Sequence, residues 1–455
     1  MSAKDQLMDP VRSPLLTDLY QLNMLQAYLD QGKVETAVFE FFVRKLPARR
    51  NFLIAAGLEQ ALSFLEEMRF TEEDLAWLAS TGRFGRDLLD YLRDLRFTGD
   101  VDAVPEGTVV FPNEPLLRVT APLPVAQLVE TRLVNLLHFQ TLIASKAVRM
   151  VLAARGRRLI DFGLRRAHGA EAGLLAARAA YIAGFDGTAT ALAEPLYGIP
   201  IYGTMAHSFV QTFADETAAF EAFALSRPEN LVLLIDTYDT EAAARKVVEL
   251  APRIEARRIR IRGVRLDSGD LGALSRRVRR ILDEGSLQDV TIFASGGLDE
   301  DEIATLVATG APIDGFGVGT SLTTSADVPA LDCAYKLQEY AGIARRKRSA
   351  GKATWPGRKQ VWRRCGPDGR IAGDVLTIDG DPQAGEPLIV PVMRAGRRVG
   401  PTPGLDDIRK RVAGALAALP EDLRALAPGA SYPVEVAPAL QALAEEVDRR
   451  LANMA

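Results

Sequence analysis

The sequence predicts an α/β fold in which parallel β-strands are covered by helices. Six short apolar runs in the central part of the chain end in polar or glycine residues, and each is followed by a stretch with helical spacing. The last four runs start about 23–30 residues apart, which is the length of one strand, one helix and two loops. Near-continuous apolar strands at this repeat are typical of a parallel sheet, and the pattern alone leaves open a (β/α) barrel or a doubly wound sheet.

The segment before this series is predicted to be mixed α+β. An apolar set at helical spacing near the N-terminus precedes residues 36–43, which are rich in strand-forming side chains. Two helical patterns cover 55–68 and 72–92, and residues 101–119 alternate short apolar runs with prolines, as edge strands do. A long helical pattern at 123–154 leads into the central series.

The central series consists of six predicted strands, namely 158–162, 198–202, 231–236, 261–267, 290–295 and 314–319. The helices between them include 240–250, which opens with Thr240 as a capping residue, and 299–309.

The pattern changes again beyond residue 341. Short strands joined by turns are predicted at 352–364, 366–378 and 388–399, because these runs are separated by Gly-Pro-Asp-Gly and Gly-Asp-Pro sequences. Residues 405–455 are predicted to form two amphipathic helices with a proline-containing linker between them.

The composition excludes several classes of protein. A chain of 455 residues fits about two to four domains, or one large barrel with attachments. A net charge of −4, with 25% charged and 48% hydrophobic residues, is ordinary for a globular protein and excludes a disordered tail or a collagen-like fibre. Nucleic acid is not expected as a partner, because that usually requires a basic domain.

Cysteine usage and hydropathy favour a cytoplasmic location. The two cysteines, Cys333 and Cys365, are too few for a disulfide framework and are expected to be reduced thiols. No apolar run follows the first residues, so no secretory signal is expected. The longest charge-free stretch, 195–214, contains two prolines and two glycines, and we interpret it as a buried part of the protein rather than a membrane span. No membrane partner is expected.

The run VRLDSGDL at 264–271 places an arginine, two carboxylates and a hydroxyl in one turn after a predicted strand. A guanidinium binds phosphate oxygens, and carboxylates bind ribose hydroxyls or a magnesium ion. Arg265, Asp267 and Ser268 are therefore candidates for binding a sugar phosphate. The alternative is that the Asp and Ser residues cap the next helix, with Arg265 in a surface ion pair.

Two glycine-marked turns follow later predicted strands, ASGG at 294–297 and GFGVGTS at 315–321. Glycine lets backbone N–H groups approach an anion closely, and a following helix adds its positive end. Gly297, Gly317 and Gly319 are therefore candidates for a phosphate site, the alternative being that the glycines only relieve tight turns. The sequence contains no Gly-x-x-x-x-Gly-Lys-Ser/Thr motif, so ordinary P-loop ATP chemistry is not indicated.

The chain has three histidines. His138 lies in an apolar helical pattern, where a hydrogen-bonded core histidine is the usual case, and His168 lies in a loop after a predicted strand. His207 comes just after a predicted strand and opens a predicted helix, where an imidazole can act as acid, base or nucleophile. No Gly-x-Ser-x-Gly elbow accompanies it, which disfavours a hydrolase triad. The run LLIDTYDT at 233–240 is interpreted as an ordinary strand end.

Five sequence blocks lie in a fixed order along nearly the whole chain, TDLYQ at 17–21, FGLRRA at 162–167, GTMAHSF at 203–209, VRLDSGDL at 264–271 and GVGTS at 317–321. In this order they resemble the nicotinate phosphoribosyltransferase family. The resemblance implies an irregular (β/α) barrel of the type II phosphoribosyltransferase kind, with an additional α+β domain. The expected division is an N-terminal domain at 1–122, the barrel at 123–340, and a C-terminal segment at 341–455 that packs with the N-terminal domain.

The resemblance also implies a reaction. Nicotinate would displace pyrophosphate from phosphoribosyl pyrophosphate and give nicotinate mononucleotide, on the salvage route to NAD. Magnesium would assist, with ligands that the resemblance does not identify. ATP is implied as a co-substrate, its hydrolysis being coupled through a phosphohistidine at His207. Arg265 and Asp267 complete the expected catalytic set.

The substrate-binding residues follow from the same blocks. Tyr20, from the other subunit of a homodimer with shared active sites, and Phe162 match the aromatic pair around the pyridine ring. Thr204 and Arg165 match substrate-facing positions, and Thr320 with its flanking glycines matches the 5-phosphate loop. The chemistry agrees, because charge on the leaving pyrophosphate needs cationic groups and a flat ring needs aromatic faces.

One departure from the family leaves an alternative open. Relatives usually have Gly-Thr-Ser-Asn where this chain has GTAT at 187–190, near the pyridine substituent, so the preference for acid or amide is not settled there. A nicotinamide phosphoribosyltransferase on the same scaffold is the alternative enzyme, and a quinolinate phosphoribosyltransferase is disfavoured because it lacks the His207-type motif. An inactive phosphate-binding regulator is the alternative from another class, which the intact Arg265, Asp267 and His207 disfavour.

Overall fold

The computed structural model describes residues 13–349 and 352–453. The chain divides into two units, of which the first contains the residues up to Leu142 and from Ala330 onward. The second unit is the continuous segment Ile143–Pro329, so it is an insertion in the sequence of the first.

The N-terminal segment mixes helices and strands, as predicted. Its strands are β1 (Thr36–Val43), β2 (Leu53–Ile54), β3 (Asp100–Ala103), β4 (Val109–Val110) and β5 (Pro115–Pro122). Its helices are α1 (Leu19–Asp30), α2 (Leu58–Glu67), α3 (Glu72–Ser80), α4 (Arg86–Asp94), α5 (Leu123–Leu128) and α6 (Glu130–Ala154). The patterns at 72–92 and 123–154 each form two consecutive helices rather than one.

Strands and helices alternate in the second unit. Its strands are β6 (Arg158–Asp161), β7 (Gly187–Thr188), β8 (Leu231–Leu234), β9 (Ile261–Leu266), β10 (Thr291–Ser295) and β11 (Gly315–Val318). Its α-helices after α6 are α7 (Ala170–Ala183), α8 (Ala193–Tyr197), α9 (His207–Gln211), α10 (Glu216–Ser226), α11 (Thr240–Glu255), α12 (Leu271–Glu284), α13 (Glu300–Ala308) and α14 (Thr320–Thr323). A 3-10 turn covers Leu164–Arg166.

The C-terminal segment returns to short strands and then helices. Its strands are β12 (Cys333–Tyr340), β13 (Ile343–Ala344), β14 (Lys359–Cys365), β15 (Ile371–Ile378), β16 (Glu386–Pro387), β17 (Val390–Arg394), β18 (Arg397–Arg398) and β19 (Val434–Val436). Its helices are α15 (Leu405–Ala418), α16 (Glu421–Arg424) and α17 (Pro438–Ala452). The expected linker between the last two long helices therefore contains a short helix and a strand, and β19 pairs with β15.

Strands from both ends of the chain form the main sheet of the first unit. The strand order is β13-β12-β1-β5-β3-β17-β18, and β1 is antiparallel to both β5 and β12. Phe39 on β1 stacks on Tyr335 of β12, with ring centroids 5.0 Å apart. A pair of buried rings contributes about 0.5–1.5 kcal/mol beyond the area it buries, so this contact helps to join the two segments.

A buried polar cluster lies beside the smaller sheet of the same unit, whose strand order is β16-β14-β15-β19. Arg363 donates to both oxygens of Asp374, at 3.0 and 2.6 Å, and the Tyr432 hydroxyl donates to Asp374 at 2.9 Å. Glu114 is fully buried and accepts the Phe111 N–H at 2.8 Å. Burial, followed by the nearby Asp374 carboxylate, raises the pKa of Glu114 well above its ordinary value.

The parallel sheet of the second unit has the order β7-β6-β11-β10-β9-β8. Each pairing is parallel, and the sheet curls into a half barrel with β7 and β8 at its edges. The expected irregular α/β barrel is thus confirmed. Aspartates cap α10, α11, α12 and α13. The cap of α11 is Asp239 rather than the expected Thr240, which is the first helical residue.

Two expectations for residues 195–214 are wrong. The run 198–202 forms only an isolated bridge between Thr188 and Ile201, and its first residue, Gly198, adopts the left-handed conformation that ends α8. The stretch is also not uniformly buried, since Leu196, Ile201 and Tyr202 are exposed.

One helix among the described residues, α6, is long and apolar enough by length and composition to cross a membrane. Most of its apolar window, 78%, is buried inside the protein, as is usual for a core helix.

Candidate active site

Polar residues collect where the strands of the second unit end. β6 ends at Asp161, Asp236 follows β8, Asp267 follows β9, and β10 ends at Ser295. Because these strands are parallel, their carboxyl ends meet at one edge of the sheet, which is where α/β proteins bind ligands. This edge holds most of the residues that the sequence blocks single out.

Two aspartates on neighbouring strand ends are tied together. The Asp236 carboxylate accepts the Asp267 N–H at 3.1 Å and the Ser268 hydroxyl at 2.6 Å through the same oxygen. Ser295 donates its hydroxyl to the Asp267 carboxylate. The other oxygen of Asp236 is buried and has no hydrogen-bond partner in the described part of the chain. A buried anionic oxygen without a donor is costly, so this oxygen is available to a cation or a hydroxyl group.

His207 opens α9 beside these aspartates. Its Nδ1 lies 3.2 Å from the Thr237 hydroxyl, and its Nε2 lies 3.9 Å from the Asp267 carboxylate. The imidazole is hydrogen-bonded at Nδ1, and part of its surface is open to solvent. The other histidines differ, because His138 accepts the Leu331 N–H at 2.9 Å while His168 is exposed.

Arg265 is the cation of the site and lies on β9. Its guanidinium donates to the Met205 carbonyl at 3.3 Å and lies 5.9 Å from the Phe162 ring centroid. Its Nε is buried and finds no acceptor among the described residues. Burial lowers the pKa of Arg265 below its ordinary value, whereas the Asp267 and Asp236 carboxylates raise it. A guanidinium stays charged in proteins, so an anion is the expected partner of its free donor.

Phe162 follows β6 and is bordered by aromatic and glycine residues. Its ring centroid lies 6.0 Å from that of Phe293. A Cβ at Gly317 would lie 2.5 Å from the Phe162 ring, so only glycine leaves room for the ring there. Gly317 is buried inside β11, which gives it a packing function in addition to the phosphate function expected from sequence.

The remaining glycine turns lie at the same edge of the sheet. Gly296 has a φ of +91° and a Cβ there would lie 1.8 Å from the Asp267 carbonyl oxygen, so this turn requires glycine. Gly297, also at positive φ, lines a cavity of about 640 Å³ together with residues 269–273. Gly319 precedes α14, and Thr320, its first residue, is exposed.

Three further predicted residues have exposed or half-buried side chains, and one of them, Arg165, lies close enough to Arg265 for its charge to lower the pKa of that guanidinium. Arg165 is exposed in the 3-10 turn Leu164–Arg166. Thr204 makes only a long hydrogen bond of 3.3 Å to the Met205 carbonyl and lines an open cavity of about 680 Å³. Tyr20 belongs to α1 of the first unit, where its side chain is 46% exposed.

The structure also brings in residues that the sequence analysis missed. Asp236 and Thr237 come from the run interpreted as an ordinary strand end, and Ser295 was only part of a glycine turn. The alternative proposed for 264–271 holds only for Asp270, which caps α12 by accepting the Ala273 N–H at 2.9 Å. Among residues 13–349 and 352–453, no group of three or more His, Cys, Asp or Glu side chains could hold a metal unaided.

Family models cover most of the chain. The N-terminal domain model of nicotinate phosphoribosyltransferase matches residues 15–138, the model of the family itself matches 157–348, and the C-terminal domain model matches 381–444. The chain belongs to the nicotinate phosphoribosyltransferase family. Its resemblance at the five sequence blocks is thereby confirmed.

Relatives of this family match over most of their length. A nicotinate phosphoribosyltransferase of Mycobacterium tuberculosis is 52% identical over 424 residues, with 93% of this chain and 91% of the relative covered. One from Bacillus subtilis is 42% identical over 77% of this chain and 72% of its own length. The crystal structure of human nicotinic acid phosphoribosyltransferase superimposes with a TM-score of 0.86 at 30% identity, covering 95% of this chain and 100% of that one.

Proposed function

We propose that this chain joins nicotinate to the phosphoribosyl group of phosphoribosyl pyrophosphate, giving nicotinate mononucleotide and pyrophosphate for NAD salvage. The observation that carries the proposal is one grouping at the sheet edge, a half-buried arginine and an aromatic ring beside two aspartates and a histidine. This set matches a substrate with a flat ring, a sugar and phosphate groups.

The transfer itself needs no general base. The lone pair of the pyridine nitrogen forms the new bond to the anomeric carbon, and the electron pair of the breaking C–O bond leaves with pyrophosphate. The Phe162 face orients the ring, and Arg265, whose Nε has no acceptor among the described residues, stabilises the negative charge of a phosphate or carboxylate.

Magnesium fits the aspartate pair. The unpartnered oxygen of Asp236 and the carboxylate of Asp267 are hard oxygen donors on adjacent strand ends. Magnesium is usually bound by one or two carboxylates together with phosphates of the substrate, which agrees with the lack of a complete protein ligand set among the described residues. When bound, the ion would neutralise charge on the leaving pyrophosphate.

ATP coupling is assigned to His207. The γ-phosphoryl group would pass to an imidazole nitrogen with release of ADP, and hydrolysis would later free the histidine. Its partly exposed ring and its contact with Thr237 support this assignment, because the ring is oriented by a neighbour and is still open to solvent on part of its surface.

Further substrate contacts complete the proposal. Tyr20 of a neighbouring copy would cover the pyridine ring opposite Phe162, and its exposure in a single chain is in keeping with this. Arg165 and Thr204 would border the substrate, and the Gly319–Thr320 turn would hold the 5-phosphate.

The proposal predicts a preference for the acid. An enclosed carboxylate needs a cationic partner, which Arg265 and Arg165 can supply. Losing a charge-assisted contact costs about 1.5–3 kcal/mol, so we expect the specificity constant for nicotinate to exceed that for nicotinamide by ~10- to 150-fold.

The test is pyrophosphate release and mononucleotide formation by the purified chain. Nicotinate, nicotinamide and quinolinate are supplied in parallel with phosphoribosyl pyrophosphate and magnesium, with and without ATP. Equal or better activity with nicotinamide would replace the proposal by the amide-specific alternative, and inactivity with all three would favour the phosphate-binding regulator.

A further inference from the structure

Asp161 is a buried carboxylate that the proposed reaction does not use. It is the last residue of β6, directly before Phe162, and only 1% of its surface is exposed. One carboxylate oxygen accepts the Gly163 N–H at 2.8 Å, and the other accepts the Thr188 hydroxyl at 2.7 Å. The Asp161 side chain therefore joins two segments, the turn that contains Phe162 and Gly163 and the end of β7 at Thr188.

The hydrogen bonds extend to the next residues of β7. The Thr188 hydroxyl oxygen accepts the Thr190 N–H at 3.0 Å, and the Asp161 carbonyl accepts the Ala189 N–H at 2.8 Å. Asp161 thus connects segment 188–190 to the Phe162 turn in two ways, through its carboxylate and through its backbone carbonyl.

The charge of Asp161 is not balanced locally. Within the ranges that the structure describes, no cation forms an ion pair with it. The Thr188 hydroxyl and the Gly163 N–H donate to it, and the Thr323 hydroxyl also faces it and lowers its pKa. Burial raises the pKa of Asp161 to about 6. A buried carboxylate without a cation is destabilising, and a neutral side chain could have filled the space. The carboxylate at this position supplies two strong acceptors, one for the Gly163 N–H and one for the Thr188 hydroxyl, which a neutral apolar side chain could not do.

We propose that Asp161 is a positioning residue that fixes the Phe162 turn against segment 188–190 and thereby sets the affinity for the pyridine substrate. The inference rests on the proposed function, because it takes Phe162 as the face on which the ring stacks. Gly317 and Phe293 border the Phe162 ring, so a small rotation of its turn changes where the ring face points.

Three variants distinguish the loss of the hydrogen bonds of Asp161 from the loss of its negative charge. Asp161→Ala removes both acceptors, and we expect the KM for nicotinate to rise at least ~10-fold, since a lost hydrogen bond to a charged group is worth about that much. The kcat and the KM for phosphoribosyl pyrophosphate should stay within ~3-fold of the wild type. Asp161→Asn keeps an acceptor for Gly163 and should restore most of the affinity. Thr188→Val removes the hydroxyl and should raise the same KM by a smaller factor.

A double variant tests whether Asp161 acts through Thr188. If Asp161 acts in part through Thr188, the double variant Asp161→Ala with Thr188→Val should raise the KM by less than the product of the two single effects, although the loss of the Thr190 contact can make it worse than Asp161→Ala alone. Multiplicative effects, or an unchanged KM for nicotinate in Asp161→Ala, would overturn the proposal. Asp314→Asn is the matched control, because Asp314 also accepts a backbone N–H, from Ile292 at 2.7 Å, but at the opposite end of the strands.

A second readout does not depend on activity. Hydrogen exchange at the amides of Gly163 and Thr190 should be faster in Asp161→Ala than in the wild type and unchanged in Asp314→Asn. Protection that persists in Asp161→Ala would overturn the inference even if the enzyme is active. A wild-type chain inactive with nicotinate would instead remove the proposed function, and the exchange rates would still decide whether Asp161 holds the turn.

Discussion

His207 has a neighbour on each ring nitrogen, the Thr237 hydroxyl at 3.2 Å and the Asp267 carboxylate at 3.9 Å. We predict that labelled ATP transfers its γ-phosphate to this histidine and gives an acid-labile, base-stable adduct. His207→Ala should abolish the adduct and ATP hydrolysis, yet leave weak transfer without ATP. Phosphate analysis after acid and base treatment measures this.

The histidines provide their own control. His168→Ala changes an exposed side chain and should label normally. His138 is less suitable, because its ring accepts the Leu331 N–H and its removal would disturb the first unit. Labelling that survives His207→Ala would end the assignment.

Glu114 makes the stability of the protein depend on pH. Its folded-state pKa is raised by burial and by Asp374, so the stabilisation is present below the unfolded pKa of about 4.5 and is lost as pH rises toward the folded value. Glu114→Gln removes this proton uptake and offers an amide donor to Asp374.

The expected result is that Glu114→Gln gains stability relative to the wild type as pH rises above about 4.5, as measured by urea unfolding. Glu386→Gln, at an exposed position on β16, should leave the pH dependence unchanged. A stability difference that does not vary with pH would mean that Glu114 is ionised in the folded protein.

At the scale of one element, the rings of Phe162 and Phe293 limit the size of the side chain that β11 can carry at position 317. Gly317→Ala would place a Cβ 2.5 Å from the Phe162 ring, in a strand with no exposed residue. We expect a loss of about 1–3 kcal/mol of stability and a raised KM for nicotinate, because overpacking forces the ring to move. Thermal unfolding and steady-state kinetics measure the two effects.

Gly414→Ala is the matched change in another element. Gly414 lies on α15 with open space around its Cβ position, so alanine there should be neutral or stabilise by up to ~1 kcal/mol. Its kinetic constants should equal those of the wild type. If Gly317→Ala and Gly414→Ala have the same effects on stability and on the KM for nicotinate, the packing argument for β11 is refuted.

The elements differ in how far sequence could predict them. β8 to β11 were predictable because short runs rich in apolar residues recur there at the spacing of one strand and one helix. The run 198–202 is also mostly apolar, but it forms only one isolated bridge, between Thr188 and Ile201. β7, which took its place, has only two residues and too little pattern to be seen.

The residues of the candidate site also differ in whether the sequence could predict them. His207, Arg265 and Asp267 could be found because they lie in recognisable blocks. Thr237, Asp236 and Ser295 could not, since each acts through a contact with a residue about 30 positions away that only strand pairing creates. Single-sequence patterns contain no information on such pairs.

At the scale of the whole molecule, the proposed shared site predicts complementation. Tyr20 and Arg265 belong to different units of the chain, and each would serve a different site in a dimer. Tyr20→Ala and Arg265→Ala should each be nearly inactive alone, whereas their mixture should regain part of the activity through hybrid dimers that hold one intact site.

Subunit exchange has to be verified first, for example with two differently labelled variants. Mixing Tyr20→Ala with His207→Ala should also restore activity, because His207 and Arg265 lie in the same unit. Mixing Arg265→Ala with His207→Ala should not. Absence of recovery in the first two mixtures would argue against Tyr20 acting across subunits.

The order of strands in the first unit has a consequence during synthesis. β1 pairs with β5 soon after both leave the ribosome, but its other neighbour, β12, is made roughly 290 residues later. At roughly 5–20 residues per second the nascent chain keeps that edge open for on the order of 15–60 s. The insertion can fold in the meantime, because its sheet is encoded in one continuous stretch. A strand edge beside Phe39 and Phe41 is then the surface that a holding chaperone must cover until the C-terminal strands arrive.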